Sequence, residues 1–233
     1  MSVVDNLRRV RERMAAAAAA SGRSVDEVTL VAVTKYVSAA DAAEALAAGC
    51  QDLGESRPQE LWTKAGEVAS ATGESPRWHL IGHLQRNKVR RTLPLASLIH
   101  SVDSERLLAA IDEQARTQSL PPIRVLLEVN TSGEAAKHGL APTAVEPLLA
   151  AAPRFPHVAI CGLMTMAALE GGPDVARRNF ASLRELRDRL QPSTPESVQL
   201  TELSMGMSGD FEAAIEEGST IVRVGTALWE QFR

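Results

Sequence analysis

The sequence predicts an α/β fold, a single (β/α)₈ TIM barrel with an extra N-terminal helix, which forms one domain over residues 1–233. Two observations predict the barrel: eight short, almost continuously apolar segments alternate with helical segments, and small and polar residues cluster where the apolar segments end. A length of 233 residues is typical of one closed barrel. A doubly wound open sheet is the alternative.

The individual elements follow from apolar periodicity and from capping residues. An alanine- and arginine-rich helix opens the chain and ends at Gly22. Ser38 and Gly49 mark the start and the end of the second helix, and Ser104 or Asp103 caps the helix that runs to Gln118. The predicted strands are 29–34, 52–53, 78–81, 98–102, 124–129, 159–164, 203–205 and 221–224. Besides the helix that runs to Gln118, the predicted helices are 3–20, 39–48, 58–71, 143–151, 174–190 and 211–217.

Composition argues against several classes of protein. A net charge of −4 argues against a general nucleic-acid binder, whose affinity rests on excess Lys and Arg. The sequence has no apolar stretch of 18 residues and no signal peptide, which predicts a cytoplasmic protein with no membrane partner. Cys50 and Cys161 are read as free thiols. His79 and His83 are four residues apart, but no cysteine or paired carboxylate joins them, so no metal site is predicted.

Lys35 is the first candidate functional residue, because it ends the apolar run 30–34. A lysine at the C-terminal tip of a buried parallel strand points out of the core into the cleft above it, where partial desolvation favours the neutral amine. A neutral amine is what a Schiff base with an aldehyde requires. A snorkelling lysine, with its ammonium group in water, is the alternative, and Lys35 by itself favours that alternative.

Two loops rich in small and hydroxyl-bearing residues follow predicted strands seven and eight. These residues are Ser204, Gly206, Ser208 and Gly209 in the first loop, and Gly225 and Thr226 in the second. Backbone N–H groups at such strand ends can hold a phosphate, although either loop alone can equally be an ordinary turn. In a closed barrel strand eight neighbours strand one, so the two loops and Lys35 are expected to converge on one face.

A lysine that faces a phosphate cradle suggests pyridoxal 5′-phosphate (PLP), which has an aldehyde at one end and a phosphate at the other. Arg223 supports this interpretation, because it lies in strand eight on the same side as Gly225. A buried arginine needs a partner: the pyridine nitrogen of PLP is one candidate, and a core carboxylate is the other. An arginine keeps the pyridine nitrogen unprotonated, so the ring would be a weak electron sink.

These residues belong to a pattern that extends over nearly the whole chain. The chain resembles the pyridoxal-phosphate homeostasis proteins, PLP-binding proteins whose barrel is similar to the N-terminal domain of alanine racemase. The matching stretches are Val31-Ala-Val-Thr-Lys35, Gly54-Glu-Ser56 with Gln59-Glu60, Trp78-His-Leu-Ile-Gly82 with Leu84-Gln-Arg-Asn-Lys88, His100-Ser-Val-Asp103, Val129-Asn-Thr-Ser-Gly-Glu134 with Lys137 and Gly139, Gly162-Leu-Met164, Leu203-Ser-Met-Gly-Met-Ser-Gly-Asp210, and Val222-Arg-Val-Gly-Thr226.

The resemblance implies a role for each matched residue of the site. Lys35 would form the covalent Schiff base, and Arg223 would face the ring nitrogen. The phosphate would be held by Ser204, Gly225 and Thr226, with backbone around Met205, Gly206 and Met207. Where the family usually has Asn, this chain has Ser56, whose shorter side chain puts a direct contact with the cofactor in doubt.

The resemblance also implies a non-catalytic protein of PLP homeostasis that buffers or delivers the cofactor, as a monomer or a weak dimer, to PLP-dependent client enzymes. A racemase-like or lyase-like PLP enzyme is the alternative. Racemisation needs acid/base groups on both faces of the substrate. In alanine racemases a tyrosine from a second domain serves the face opposite the lysine, whereas here the only tyrosine, Tyr36, adjoins Lys35. Lys137 is read as a loop lysine that could bind a second aldehyde or phosphate transiently.

Overall fold

The computed structural model describes residues 2–134 and 137–229, and its strands form a closed parallel barrel in sequence order. The predicted TIM barrel is therefore confirmed. Strands β1 and β8 close the barrel, and Val31 pairs with Arg223 in their register. The strands are β1 Thr29–Val33, β2 Asp52–Glu55, β3 Arg77–Leu80, β4 Ala96–Val102, β5 Ile123–Glu128, β6 Val158–Met164, β7 Glu202–Ser204 and β8 Ile221–Val224.

The helices lie on the outside of the barrel, and most of them begin and end close to the predicted residues. Ser38 caps the second helix through a reciprocal capping box with Asp41. The helices are α1 Val3–Ala20, α2 Ala39–Ala47, α3 Pro58–Thr72, α4 Val89–Thr92, α5 Glu105–Thr117, α6 Pro142–Ala150, α7 Gly172–Leu190, α8 Phe211–Glu216 and α9 Thr226–Trp229. The short helices α4 and α9 were not predicted.

The core has an outer and an inner part. The outer part fills the space between strands and helices, with Trp78, Phe180 and Phe211 among its largest fully buried side chains. The inner part is a small apolar cluster inside the barrel: Val31, Leu98, Leu126, Met164 and Ile221. Polar side chains fill much of the remaining interior, which is unusual for a barrel of this type, whose interior is dominated by branched aliphatic residues.

Helix α1 is attached to the end of the barrel through α9. The buried side chain of Asn6 donates a hydrogen bond of 2.8 Å from Nδ2 to the carbonyl oxygen of Leu228. Trp229 in turn donates from Nε1 to the carbonyl oxygen of Val33 at 2.7 Å. The helix that begins at Thr226 is therefore held between α1 and the end of β1.

Both cysteines are free, as predicted. Burial raises the pKa of the Cys50 thiol to about 11 and also raises the pKa of Cys161, so neither thiol is activated for nucleophilic chemistry.

Among the described helices, none is long and apolar enough to cross a membrane.

Candidate functional site

A cavity of about 410 Å³ lies at the C-terminal ends of the strands. This is the face on which barrels of this class carry their sites, and the volume is in the range of small-molecule pockets. The predicted residues that line it are Lys35, Ser56, Met207, Arg223, Gly225 and Thr226. Ser208 and Gly209 of the first predicted loop also line it, and the polar residues that the sequence did not indicate are His83, Glu128 and His138.

Lys35 reaches the cavity from a turn directly after β1. Its neighbour Tyr36 adopts a positive φ of 74°, an uncommon conformation for a residue with a side chain, and is 78% exposed. The Lys35 ammonium nitrogen lies 5.5 Å from the centre of the Tyr36 ring. Lys35 itself is exposed, so the protein alone does not desolvate the amine as the sequence suggested. A ligand in the cavity would have to supply that cover.

The loops after β7 and β8 meet through Ser208. Its Oγ accepts hydrogen bonds from the backbone N–H groups of Gly225, at 3.1 Å, and Ala227, at 3.2 Å. A hydroxyl oxygen thus occupies a position to which two backbone donors point, where an oxygen of a bound anion could also accept. Gly206 permits the turn that brings Ser208 here, because its φ is +94° and a Cβ would lie 2.6 Å from Ala214 Cβ.

Ser204, Met205 and Gly206 lie behind the cavity wall. Ser204 and Met205 are fully buried. The Ser204 hydroxyl accepts a hydrogen bond of 2.6 Å from Nη1 of Arg223, and the carbonyl oxygen of Gly206 accepts from the Arg223 backbone at 3.0 Å. The predicted contacts of these three residues with a phosphate stay predictions, whereas the hydrogen bonds of Ser204 and Gly206 with Arg223 are direct.

Arg223 is buried, 4% exposed, yet it lines the cavity. Its guanidinium donates to Ser204 Oγ and, from Nη2, to the carbonyl oxygen of Thr165 at 3.0 Å. Burial lowers its pKa to about 10, while the charges of Asp210 and Glu128 act in the opposite direction. The group is therefore still charged at neutral pH. No carboxylate in the described part of the chain forms an ion pair with it, so the alternative of a core carboxylate partner is not met.

Arg223 is the first member of a hydrogen-bonded chain that crosses the barrel interior. Ser204 Oγ lies 2.8 Å from Nδ1 of His100, and His100 Nε2 lies 2.8 Å from Nδ1 of His79. His79 Nε2 lies 3.0 Å from Oδ1 of Asp52, which also accepts from Arg77 at 2.7 Å. Five strands contribute one inward-facing member each.

With both imidazole rings neutral, the Asp52 end of this chain fixes the direction of the hydrogen bonds in it. Arg223 can only donate and ionised Asp52 can only accept. Burial raises the pKa of Asp52, but hydrogen bonds from His79 and Arg77 outweigh burial and lower it to about 2. His79 and His100 must then both carry their proton on Nε2 and accept on Nδ1, an assignment from partners. Burial, followed by the charge of His79, lowers the pKa of His100 well below its usual range, which agrees with a neutral ring.

The far end of the chain opens on the opposite face of the barrel. Asp52 and Arg77 line a second cavity, of about 770 Å³, between α1 and the N-terminal ends of β1 and β2. The guanidinium that lines the first cavity is therefore connected to a mostly buried carboxylate in the wall of the cavity on the other side of the molecule.

A second buried polar group braces the tip of β1 beside Lys35. Lys64 of α3 donates from Nζ to Oε1 of Glu55 and to the carbonyl oxygen of Thr34, both at 2.6 Å. Thr34 Oγ1 donates to the same carboxylate oxygen, also at 2.6 Å. Glu55 is completely buried. Sequence reasoning missed this group, although its signal was present as a carboxylate inside a strand and a lysine on the buried side of a helix.

Ser56 is held at the cavity by a close backbone contact with the loop after β3. A Cβ on Gly82 would lie 2.1 Å from the carbonyl oxygen of Ser56, so only glycine fits there. Lys137 does not line the cavity: its Nζ donates to the carbonyl oxygen of Ala167 at 2.6 Å and lies 2.5 Å from Oε2 of Glu134.

Two histidines and an aspartate at the cavity rim could hold a metal ion. His83, Asp103 and His138 each offer a ligand atom, and the three atoms lie within 4.8 Å of one another. Beneath them, burial raises the pKa of Glu128, the negative charge of Asp103 raises it further, and His138 acts in the opposite direction.

Comparisons with known proteins agree with this architecture. The family described as "Alanine racemase, N-terminal domain" matches residues 5–231. The chain is 40% identical to the "Pyridoxal phosphate homeostasis protein" of Pseudomonas aeruginosa, over 98% of this chain and 95% of that protein. The structure of PipY from Synechococcus elongatus with PLP bound is 33% identical, with a TM-score of 0.85 over 97% of this chain and 99% of that one. An alanine racemase of Clostridium difficile shares the fold, with a TM-score of 0.73 and 16% identity over 97% of this chain and 56% of that one.

Proposed function

The chain belongs to the pyridoxal phosphate homeostasis protein family, and from that premise we propose that it binds PLP and stores or delivers the cofactor without catalysing a reaction of its own. When bound, PLP supplies an aldehyde that an amine can attack and a pyridine ring that can withdraw electrons. The proposal rests chiefly on one observation: Lys35 lines the same cavity as Arg223 and Thr226, although almost the whole barrel separates it from them in sequence.

The residues of this cavity fit the parts of PLP. Lys35 is the amine that can bind the aldehyde covalently. The N–H groups of Gly225 and Ala227, which Ser208 Oγ accepts from, are donors suited to the phosphate. Arg223 is a buried cation without an ion-pair partner in the described residues, and it can donate to the pyridine nitrogen.

Arg223 also argues against catalysis. A guanidinium does not give up its proton at neutral pH, so the ring nitrogen beside it stays unprotonated and the ring withdraws electrons weakly. Ser204 and Thr165 fix the guanidinium in place, so it cannot turn away from the cavity without breaking two hydrogen bonds.

Covalent binding at Lys35 can be tested sharply because the sequence contains only four lysines: Lys35, Lys64, Lys88 and Lys137. Lys64 is buried against Glu55, and Lys137 is bonded to Ala167 and Glu134. We expect protein incubated with PLP and reduced with borohydride to carry the pyridoxyl group on Lys35, as located by peptide mass spectrometry. Lys35→Ala should lose both the label and the visible absorption band of the bound cofactor.

Lys137→Ala is the matched control, since Lys137 lies on another loop of this barrel face. It should keep the label on Lys35 and the absorption band. Labelling that moves to Lys64, Lys88 or Lys137 with full occupancy in Lys35→Ala would show that the assignment of Lys35 is wrong.

The enzymatic alternative is tested by exchange of the α-proton of alanine in deuterated water, followed by NMR. We expect exchange far slower than typical turnover of about 10 per second, because Arg223 leaves the ring a weak electron sink. Exchange at enzymatic rates that disappears in Lys35→Ala would favour a racemase-like enzyme and contradict the carrier proposal.

We also propose that the protein acts in the cytoplasm, as a monomer or a weak dimer, and passes PLP to dependent enzymes. Free thiols such as Cys50 and Cys161 suit a reducing compartment. An exposed Lys35 suits release, because a partner can reach the amine without opening the barrel.

A further inference from the structure

The rim of the cavity carries a cluster of three metal-binding side chains from three successive loops. His83 follows β3, Asp103 follows β4 and His138 lies in the loop after β5. The rings of His83 and His138 are stacked, with centres 5.0 Å apart and planes 17° apart. Nδ1 of His83 lies 3.7 Å from Oδ2 of Asp103, too far for a hydrogen bond.

Hydrogen bonding does not explain why these groups converge. Among residues 2–134 and 137–229, neither imidazole forms a hydrogen bond, so the ring nitrogens are available as ligands. By contrast, His79 and His100 have both ring nitrogens occupied inside the barrel. The rim histidines are also exposed, which leaves room for small rotamer changes.

We propose that His83, Asp103 and His138 form a binding site for a divalent late transition-metal ion such as Zn²⁺, with its remaining coordination positions open toward the cavity that Lys35 lines. Two imidazoles and one carboxylate are the donor set of such ions and not of Mg²⁺ or Ca²⁺, which prefer oxygen ligands. Bonds of about 2.0–2.2 Å place tetrahedral ligand atoms roughly 3.4 Å apart. Ligand atoms already within 4.8 Å can close that distance by side-chain rotation.

The position of the cluster gives the site its place in the molecule. His83 and His138 line the cavity that Lys35 lines, while His83 and Asp103 line a third, neighbouring cavity on the outside of the barrel. An ion bound here would lie in the wall between these two cavities and would be accessible to solvent. The inference does not depend on PLP binding, because all three ligands belong to the protein.

Metal binding by the full-length protein tests the proposal, after chelator treatment and dialysis to remove metals and free PLP. Titration with Co²⁺, followed by its visible absorption, and with Zn²⁺ by calorimetry, should give one ion per chain. His83→Ala and His138→Ala should each weaken the affinity at least about tenfold. Thermal unfolding in the absence of metal checks that the variants are folded.

His157→Ala is the matched control: His157 Nδ1 lies 3.3 Å from Oδ1 of Asp112, and His157 is not part of the rim cluster, so the variant should bind metal like the wild type. Cys161→Ser excludes binding through the half-buried thiol and should also leave the affinity unchanged. Wild-type protein that binds no Co²⁺, or binding that is equally strong in His83→Ala and His138→Ala, would overturn the proposal. Loss of PLP binding in Lys35→Ala with unchanged metal affinity would show that the two sites are separate.

Discussion

Two serines near the C-terminal end of β7 have different surroundings, and they illustrate what a single residue contributes to the site. Ser204 faces the barrel interior, where its hydroxyl joins Arg223 to His100. Ser208, four residues later, lies at the cavity, where its hydroxyl accepts from the N–H groups of Gly225 and Ala227. The first serine orients the arginine, and the second belongs to the candidate phosphate cradle.

These two serines should therefore respond differently to substitution. Ser208→Ala should weaken PLP binding about tenfold, equivalent to about 1.4 kcal/mol, because a hydroxyl that yields the N–H groups of Gly225 and Ala227 to a phosphate can itself donate to that phosphate. The affinity for pyridoxal, which lacks the phosphate, should stay unchanged. Ser204→Ala should lower the affinity for both PLP and pyridoxal, because it removes a hydrogen bond that holds the guanidinium of Arg223 in place. Parallel titrations of both ligands provide the measurement. A Ser208→Ala variant that loses PLP and pyridoxal equally would contradict the assignment to the phosphate.

Local sequence identified the residues at the ends of β1 and β8, because a polar residue after an apolar run in a barrel lies at its C-terminal face. Lys35, Gly225 and Thr226 line the cavity for this reason. It did not identify His83, because the sequence offered only His79 as a neighbour and gave no sign of Asp103 and His138 beside it. It did not identify His138, because that residue lies well after the end of its strand. Nor did it show that Ser204 faces inward, since that depends on where β7 ends, and a strand of three residues does not fix its own end.

Among the secondary-structure elements, α1 contacts the cavity wall indirectly, through a helix at the opposite end of the sequence. Its buried Asn6 holds the carbonyl oxygen of Leu228 in α9, and α9 begins at Thr226 in the cavity wall. A composition rich in helix-forming residues, with Gly22 as the stop, predicted α1 from about Val3 to Ala20, and the structure has it at these residues. It could not predict α9, because four residues are too few to show a period. Strand β2 was predicted too short, because its sequence Asp52-Leu-Gly-Glu55 buries two carboxylates that find partners only in the folded barrel.

Asn6→Ala should cost about 1–3 kcal/mol of unfolding free energy, because it leaves the buried carbonyl of Leu228 without its donor. Urea denaturation measures this loss. Arg8→Ala on the exposed side of the same helix is the matched control and should change stability by no more than about 0.5 kcal/mol, since its pair with Glu12 is at the surface. Equal effects of the two substitutions would show that Asn6 does not attach the helix to α9.

At the scale of the whole molecule, the hydrogen-bonded chain from Arg223 to Asp52 joins the two faces of the barrel. Its members replace aliphatic residues in the interior, where an incomplete polar network costs more than an apolar core. Here every described link has a donor and an acceptor. No stretch of sequence predicts this chain, because each member comes from a different strand and closure of the barrel alone brings them together.

His100, the fully buried histidine of this hydrogen-bonded chain, should make the unfolding free energy depend on pH. Burial lowers the pKa of His100 well below 6.5, so the native protein keeps a neutral ring while the unfolded chain takes up a proton as the pH falls. The contribution of His100 to the unfolding free energy is therefore complete above pH 6.5 and is lost progressively as the pH falls below that value. Between pH 6.5 and 5.5 the unfolding free energy of the wild type should fall about 1 kcal/mol more than that of His100→Gln.

Urea denaturation at the two pH values gives this difference, and ¹⁵N NMR of the histidines at pH 7 should show both His79 and His100 protonated on Nε2. Identical pH dependence in wild type and variant, or a proton on Nδ1 of His100, would contradict the direction assigned to the chain.

The distribution of the four lysines has a consequence for chemical selectivity. The chain has 21 arginines, so most of its positive charge is carried by guanidinium groups, which attract phosphates but form no imines with aldehydes under ordinary conditions. Of the amines, Lys64 is sealed behind Glu55 and Lys137 is engaged by Ala167 and Glu134. Lys35 and Lys88 are the two lysines for which the described residues show no such hydrogen bond or ion pair. A protein that holds a reactive aldehyde in this way offers it few amines besides Lys35, so excess PLP would modify few other positions on the surface.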